Sequence, residues 1–272
     1  MDFVKLTERT EYVSIEESLV AIYHLGGGRV LLIDAGAREE PELVPALKAR
    51  GLTVAALLLS HLHFDHISTA GLLYEEFHMP CYAHYLEQRE KEFPTRWFPI
   101  TQIGTEPIII EGQKFEVIFT PGHTKGHLSF VTPDSVCCIG DTFMSEKPLK
   151  LAKIPFFEDV DRAIESMELI RQTKCAAYLL CHEDVIYPGE LDRIIDLNIE
   201  KELELYRMLR DYVTGPMELE EMVTGFMQHC GIRNKFILGF DGYRGTVKSR
   251  VRSLEYNGAL RLEGRWVLPA SK

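Results

Sequence analysis

A six-residue run at 61–66, with the sequence HLHFDH, restricts the fold of this chain more than any other feature. It follows an apolar segment that has the composition of a buried strand. Side chains at positions i and i+2 of an extended chain point the same way, so His61 and His63 can bind one metal ion together. Asp65 and His66 come where the chain turns into the next helix, which indicates a second ion. A His-rich loop that merely faces water is the less favoured interpretation.

Three further candidate ligands follow apolar segments or tight turns later in the chain. His123 lies in the run PGHTKGH at 121–127, Asp141 follows an Ile-Gly pair, and His182 follows a Leu-Cys pair. Each of these side chains can therefore project from the rim of a sheet. Imidazole nitrogen and carboxylate oxygen suit Zn²⁺, and they also suit iron or manganese.

The composition excludes several classes of protein. The chain has 272 residues, enough for one large domain or two unequal ones, and its net charge of -11 disfavours general adhesion to nucleic acids or membranes. No apolar run approaches the roughly 20 residues needed to span a bilayer. The first residues lack the pattern of a signal peptide, and the six cysteines form no CxxC pair. We therefore expect a reduced, cytoplasmic setting and no membrane partner.

Two runs of predicted strands, each accompanied by helices, indicate two sheets packed face to face with helices outside, an α/β fold of four layers in the order αββα. A hairpin turning at Gly26–Gly28 and helices at 41–50, at 68–77 and after Asp159 complete the pattern. The segment 93–107 is predicted to be a loop, either a lid over a substrate or a loop packed on the core. The predicted strands cover residues 12–23, 29–34, 54–60, 80–83, 108–110, 115–120, 127–132, 135–139 and 176–181.

The motifs as a set resemble the metallo-β-lactamase superfamily, and the HxHxDH form resembles its glyoxalase II-like group. The matching features are HxHxDH at 61–66, PGHTxGH at 121–127, GD at 140–141 and the final His182, in the family's order and at similar spacing. The resemblance covers about residues 12–190. It implies an αββα sandwich that carries its site at one end of the two sheets.

The resemblance also implies a role for each candidate ligand. Asp65 and Asp141 would be the catalytic carboxylates, and the cofactors would be two divalent ions, most simply zinc, with iron or manganese as alternatives. His127 and Asp34 are expected to orient ligands rather than to bind metal. The implied ligand set is His61, His63 and His123 for the first ion, Asp65, His66 and His182 for the second, and Asp141 as a bridge.

The composition changes after His182, and we predict a catalytic domain over 1–190 and a small domain over 191–272. Helices at 188–213, 217–230 and 245–256, followed by a hairpin over 260–268, resemble a winged helix, which some proteins of this family carry. Residues 244–265 hold six basic and two acidic side chains, a net charge of 6 - 2 = +4. On one interpretation this module binds nucleic acid; on the second it has an ordinary solvated helix face, or it packs on the hydrolase and shapes its pocket. We favour the second interpretation.

These features predict a dinuclear metal-dependent hydrolase of small molecules. A metal-activated water would attack a thioester or an ester-like carbonyl, as in glyoxalase II. An RNA or DNA phosphodiesterase that holds the strand with the winged helix is the first alternative. A metal-dependent regulator or sensor is the second, and a homodimer is compatible with all three.

Overall fold

A computed structural model describes residues 1–89, 95–182, 184–233 and 240–270. Two mixed sheets run in chain order from one edge to the other. The seven-stranded sheet comprises β1 (Val4–Lys5), β2 (Thr10–Ile15), β3 (Ser18–Gly26), β4 (Arg29–Ile33), β5 (Thr53–Leu58), β6 (Cys81–His84) and β7 (Thr101–Ile103). The six-stranded sheet comprises β8 (Ile108–Ile110), β9 (Gln113–Phe119), β10 (Leu128–Val131), β11 (Val136–Gly140), β12 (Ala177–Leu180) and β13 (Asp184–Ile186).

Helices cover the outer faces of both sheets and build the C-terminal unit. They are α1 (Leu43–Ala49), α2 (Phe64–Ile67), α3 (Ala70–Phe77), α4 (Glu146–Leu151), α5 (Val160–Arg171), α6 (Pro188–Tyr212), α7 (Leu219–His229) and α8 (Phe240–Tyr256). The C-terminal unit adds a three-stranded sheet in the order β14-β16-β15, formed by β14 (Met217–Glu218), β15 (Leu260–Glu263) and β16 (Trp266–Pro269). No helix in the described ranges is long and apolar enough to cross a bilayer.

The core confirms the predicted four layers. Alternate residues of a strand face opposite sides of its sheet, and β3 shows the consequence: Tyr23 faces the second sheet, whereas Ile22 faces α1 and α3. Between the sheets, Tyr23 packs edge-on against Phe115 with ring centroids 5.1 Å apart. On the far side, Met167 of α5 and Ile195 of α6 share a third core with the outer face of the second sheet.

Two predicted segments differ from the structure. The residues predicted as one strand over 12–23 form two strands, β2 and β3, which turn at Glu16 and Glu17 with φ of 45° and 65°. Glutamate is not a typical turn residue, so the pair Glu16-Glu17 does not mark a turn as glycine, proline, asparagine or aspartate would. The predicted loop at 93–107 includes strand β7, and Phe98 is buried in the core. Residues 93 and 94 of that segment lie outside the described residues.

Helix α6 runs across the predicted domain boundary at 190. Its first half packs on the second sheet through Leu191 and Ile195, and its second half packs in the C-terminal core through Leu205 and Leu209. The predicted boundary therefore falls in the first turn of a continuous 25-residue helix. The assignment of the C-terminal unit as a winged helix stays a prediction.

Asp134, in the turn between β10 and β11, ties the N-terminal segment to the second sheet. Its carboxylate accepts hydrogen bonds from the hydroxyls of Thr7, Thr10 and Thr132 and from the backbone N–H of Arg9. Burial alone would raise the pKa of Asp134, but these donors lower it below the ordinary value. The native state therefore prefers the ionised form more than the unfolded state does.

We expect Asp134→Asn to lower the free energy of unfolding at pH 7 by about 1 kcal/mol. A carboxylate with a depressed pKa stabilises the fold above its unfolded-state value of 3.8 and loses that contribution as the pH falls through the folded-state value. The difference in urea unfolding between wild type and variant should therefore shrink toward zero below pH 3.8. If wild type and Asp134→Asn differed in free energy of unfolding by the same amount at pH 7 and in this acidic range, the ionised carboxylate would not be the source of the stability.

Candidate metal centre

The seven predicted ligands meet at one edge of the two sheets. His61 and His63 follow β5, Asp141 follows β11 and His182 follows β12, so each stands just past the end of a strand. His123 reaches the same edge from the loop between β9 and β10. We call the resulting set of seven side chains the candidate centre: His61, His63, Asp65, His66, His123, Asp141 and His182.

Three imidazoles form the first half of the candidate centre. His63 Nδ1 lies 3.0 Å from His61 Nε2 and 2.9 Å from His123 Nε2. Ligand nitrogens on a tetrahedral Zn²⁺ ion, at about 2.0–2.1 Å from the metal, stand about 3.3 Å from one another. The three nitrogens are therefore spaced as ligands of one ion would be.

The other ring nitrogen of two of these histidines is already engaged. His123 Nδ1 donates to the backbone carbonyl of Phe156 at 3.0 Å. His61 Nδ1 lies 3.0 Å from Ser60 Oγ, and the Ser60 hydroxyl itself donates to Asp34. The N–H of His61 must therefore point at Ser60. In both rings the Nε2 lone pair is left facing the candidate centre, which is the tautomer a metal ligand needs.

The second half combines His66, Asp65, His182 and Asp141. His66 Nδ1 bonds to Asp34 Oδ2 at 3.0 Å, which directs His66 Nε2 toward Asp141. His182 Nε2 lies 3.4 Å from Asp141 Oδ2 and 3.7 Å from Asp65 Oδ2. This half also brings in the thiol of Cys181, which the sequence analysis did not count among the candidate ligands.

Asp141 stands between the two halves. One of its oxygens, Oδ2, lies 3.3 Å from His123 Nε2 and 3.4 Å from His182 Nε2, and the other, Oδ1, lies 3.4 Å from His66 Nε2. Its backbone N–H donates to His127 Nε2 at 3.0 Å. Asp141 therefore contacts ligands of both predicted ions. The hydrogen bond from its backbone to His127 orients it, which is consistent with the role expected for His127.

The charge states of three of the candidate ligands favour metal binding. Burial lowers the pKa of His61 and of His123 well below the usual range, so both rings are neutral at pH 7. Burial alone would raise the pKa of Asp141, but His182, His66 and His123 lower it well below the usual range. Neutral imidazoles and an ionised carboxylate are the forms that bind a divalent cation.

At two other candidate ligands, a bound ion would have to displace a proton. Burial alone would lower the pKa of His66, but Cys181, Asp141 and Asp34 raise it well above the usual range. Asp141 also raises the pKa of His182.

Two buried atoms test whether a metal fits. His66 Nε2 and Asp141 Oδ1 have no hydrogen-bond partner among the described residues, although buried polar atoms are nearly always paired. Both atoms face the interior of the candidate centre. A divalent ion bound there would satisfy both, so the residues present fit a metal site.

Two groups that hydrogen-bond to the histidine ligands or their loops were not predicted from the sequence. Glu87 follows β6 and hydrogen-bonds to both His-bearing loops, yet it belongs to none of the motifs that the sequence analysis singled out. The Phe156 carbonyl orients His123 from a segment 33 residues away. Backbone carbonyls are present at every residue, so no sequence signal could have identified this one.

A narrow pocket opens beside the candidate centre. Its polar wall contains His123, Asp141 and His182. Its apolar wall consists of side chains from two segments, Phe143 and Met144 after β11 and Phe156 and Phe157 before α5, together with Leu180. Its volume of about 20 Å³ admits little more than a water molecule, so the apolar wall stands close against the candidate centre.

The C-terminal unit holds the segment that forms this apolar wall. Thr246 of α8 donates to the Phe157 carbonyl at 2.7 Å and accepts the Phe157 N–H at 2.9 Å. Arg250 donates to the Pro155 carbonyl at 3.2 Å. Gly242 is needed for this contact, because a Cβ there would lie 2.4 Å from the Phe156 ring. Helix α8 thus shapes the pocket, as the favoured sequence interpretation expects.

The basic residues of α8 are largely engaged in ion pairs within the chain. Arg244 and Lys248 both pair with Glu220 of α7. Arg250 is fully buried and pairs with Glu202 of α6 at 2.5 Å. Two acidic residues outside 244–265 therefore offset half of the charge of +4 counted there, 4 - 2 = +2, and these three basic side chains do not form a free basic surface.

Comparisons with known proteins agree with this geometry. Residues 17–182 match the model of the metallo-β-lactamase superfamily. Hydroxyacylglutathione hydrolases of Xylella fastidiosa, for example in strains M23 and 9a5c, are 35% identical over 122 residues, which is 43% of this chain. The matched region spans only 42% of the length of those relatives.

Solved structures extend the likeness of fold to nearly the whole chain. A metallo-β-lactamase family protein from Thermus thermophilus has a TM-score of 0.71 at 16% identity, covering 96% of this chain and 97% of that one. A β-lactamase domain protein from Burkholderia ambifaria has a TM-score of 0.75 at 14% identity, covering 99% and 94%. With the family match over residues 17–182 and the geometry described above, the chain belongs to the metallo-β-lactamase superfamily.

Proposed function

We propose that this protein is a dinuclear metal-dependent hydrolase that cleaves a thioester or a related ester of a small molecule. The observation that carries the proposal is that six imidazole and carboxylate side chains gather with Asp141 at one edge of the sheets, three of them within 3.4 Å of its carboxylate. The remote nitrogens of His61, His66 and His123 are already hydrogen-bonded. The relatives named hydroxyacylglutathione hydrolase support the choice of bond class.

Each ligand has a role in this proposal. His61, His63 and His123 would hold one ion, Asp65, His66 and His182 the other, and Asp141 would contact both. Two bound divalent ions would supply Lewis acidity for a carbonyl oxygen and lower the pKa of a water molecule. The metal is most simply zinc, and iron and manganese suit the same ligands.

The carboxylates have further tasks in the proposed reaction. The Asp65 side chain is 25% exposed, which places it at the solvent edge of the candidate centre, where it can accept a proton from an attacking water. Its backbone carbonyl accepts a hydrogen bond from Ser18 at 3.1 Å, which holds the start of α2 in place. Asp141 remains ionised and balances the positive charge of the ions.

In this proposal the pocket would have to widen to admit a substrate, whose apolar group would then contact the apolar wall. Met144 and Phe156 line it close to the candidate centre, and both side chains are partly exposed. Burying an apolar acyl or thiol group there would contribute about 25 cal/mol per Å² of area removed from water. Helix α8, which holds the Phe156 segment, would act on substrate selection through this wall.

A nucleic-acid phosphodiesterase is the weaker candidate. Such an enzyme needs a free basic surface for the phosphate backbone, whereas Arg244, Lys248 and Arg250 are paired with carboxylates. A regulator without catalytic activity would not need the complete set of seven ligands. A winged-helix-like C-terminal unit remains compatible with the hydrolase proposal, in which it packs against the pocket.

We expect metal analysis of the purified protein to find close to two divalent ions per chain. In a panel of thioesters, lactones and bis-p-nitrophenyl phosphate, we expect cleavage of thioesters, and removal of the ions by a chelator should abolish it. Preferential cleavage of the phosphodiester would contradict the bond class. One ion per chain, or activity that survives complete metal removal, would contradict the dinuclear mechanism.

A further inference from the structure

Glu87 joins the two loops that carry the histidines of the first half of the candidate centre. Its Oε2 accepts the backbone N–H of Leu62 at 3.0 Å. Its Oε1 accepts the backbone N–H of Gly126 at 2.9 Å and the hydroxyl of Thr124 at 2.6 Å. One carboxylate therefore satisfies three donors from two segments that are more than 60 residues apart in the chain.

The donors stand directly beside the ligands. Leu62 lies between His61 and His63, and Thr124 follows His123. A change in the position of Glu87 would therefore shift the backbone that carries all three imidazoles. His63 Nδ1 lies 3.0 Å from His61 Nε2 and 2.9 Å from His123 Nε2. If one loop moved by about 1 Å, these nitrogens would no longer have the spacing that binding one ion requires.

Gly126 is required for this contact. A Cβ at position 126 would lie 2.9 Å from Glu87 Oε1 and 3.0 Å from Glu87 Cγ, closer than such atoms approach. The glycine leaves room for the carboxylate to reach the backbone. In the family-like PGHTxGH run, Gly126 is therefore small because Glu87 packs against it, and not because a metal ligand does.

Glu87 does not belong to the groups of side chains that converge as ligands in the described structure. Burial raises the pKa of its carboxyl, and the three hydrogen bonds act in the opposite direction. Ionising a buried carboxylate is unfavourable unless donors compensate it. Both oxygens of Glu87 accept bonds from loop donors, which is the arrangement expected of a side chain that holds other residues in position.

We propose that Glu87 is a positioning residue that sets the distance between the two His-bearing loops and thereby the affinity of the first metal site. This inference rests on the proposed function, because it requires that His61, His63 and His123 bind an ion. It goes beyond that function by assigning a role to a residue that contacts neither ion nor substrate.

Replacing Glu87 with glutamine tests the inference through metal affinity. The amide keeps the shape of the side chain but replaces one acceptor oxygen with an N–H₂ group, which opposes either the Leu62 or the Gly126 N–H. We expect the affinity for one of two Zn²⁺ ions to fall about 10- to 100-fold, with the other unchanged. Titration of the metal-free full-length protein with Zn²⁺ against a chromophoric chelator measures both constants without any activity assay.

Asp134→Asn is the matched control. Asp134 also accepts bonds from hydroxyls and a backbone N–H, but it lies at the opposite end of the β10–β11 hairpin from His127 and Asp141. Both variants should lose stability to urea, and only Glu87→Gln should lose Zn²⁺ affinity. Equal Zn²⁺ affinities in wild type and Glu87→Gln would overturn the role of Glu87 while leaving the proposed function intact.

Two other outcomes are decisive as well. A wild-type protein that binds no Zn²⁺ would overturn the proposed function, and the role of Glu87 with it. If Glu87→Gln does not fold, Thr124→Val replaces it, because this variant removes one of the three donors and leaves the carboxylate in place. We then expect the affinity for the same Zn²⁺ ion to fall by about tenfold at most. An unchanged Zn²⁺ affinity would count against the inference.

Discussion

Replacing Asp141 with asparagine is expected to lower kcat/KM for the hydrolysed substrate by about 10³-fold or more. Asp141 lies within 3.4 Å of ring nitrogens of His66, His123 and His182, so it is the side chain that the two halves of the candidate centre share. The amide keeps the size of the side chain but removes its negative charge and one acceptor oxygen. Two cations held close together would then have only the carboxylate of Asp65 to offset their repulsion.

The same variant should also bind fewer ions. We expect metal analysis of Asp141→Asn to find about one divalent ion per chain in place of two. Asp134→Asn serves as the control, since it makes the same chemical change outside the candidate centre and should retain both ions and activity. An Asp141→Asn protein that keeps two ions and wild-type kinetics would rule out the bridging role of Asp141.

The second large effect concerns stability rather than chemistry. Arg250 and Glu202 form an ion pair at 2.5 Å, and their side chains are 0% and 1% exposed. Arg250→Met should lower the free energy of unfolding by about 3–5 kcal/mol, because Glu202 is left as a buried charge without a partner. Urea unfolding at pH 7 measures this loss.

The double variant Glu202→Met/Arg250→Met should recover most of the stability. Replacing both members of a buried pair with apolar side chains removes the desolvation cost along with the attraction. Arg261→Met is the matched control, because Arg261 and Glu263 pair at 3.1 Å with side chains 46% and 59% exposed. Exposed pairs contribute about 1 kcal/mol or less. A double variant as unstable as Arg250→Met would show that the loss arises from packing rather than from the unpaired carboxylate.

The loss of stability in Arg250→Met should also depend on pH. Burial already raises the pKa of Glu202 above its ordinary value of 4.5, even with the guanidinium present. Removing Arg250 removes the main influence that lowers this pKa. An acid whose folded-state pKa exceeds its unfolded-state value binds more protons when folded, so its contribution to stability falls as the pH rises. The deficit of Arg250→Met should therefore be smaller at pH 5 than at pH 8.

Arg250 connects this stability to the pocket. The same guanidinium donates to the Pro155 carbonyl, and neighbouring Thr246 holds both backbone groups of Phe157. The residue between them, Phe156, lines the pocket and accepts the hydrogen bond of His123. The C-terminal unit thus supports the candidate centre through three consecutive residues, and through them it would act on the proposed reaction.

Local patterns in the sequence predicted the sandwich, which the structure confirms, and they named the candidate ligands that the fold brings to one edge. The apolar segments that became β5, β11 and β12 each end within three residues of a ligand-type side chain. Such a segment determines its own structure through side-chain periodicity, and the residue that follows it must lie at the edge of the sheet. The turn at Glu16 and Glu17 was missed for the complementary reason, since no typical turn residue interrupts the pattern there.

Charge along the chain was a poorer guide than the pattern of apolar residues. The basic residues of 244–265 suggested a nucleic-acid surface, but Glu220 and Glu202 come from other helices and pair with three of them. A charge acts over distance in space, so its effect depends on elements that are remote in sequence. Counting charges in one segment cannot reveal the partners that the fold brings to it.

The sequence by itself determined which residues could bind metal, because HLHFDH and PGHTKGH place their ligands directly after structure-forming segments. Only the tertiary structure decided how those ligands are held. Asp34 orients His66 from 32 residues away, the Phe156 carbonyl orients His123, and Glu87 joins both histidine loops. The physical reason is that a side chain's direction follows from its own element, whereas its hydrogen-bond partner depends on how separate elements pack together.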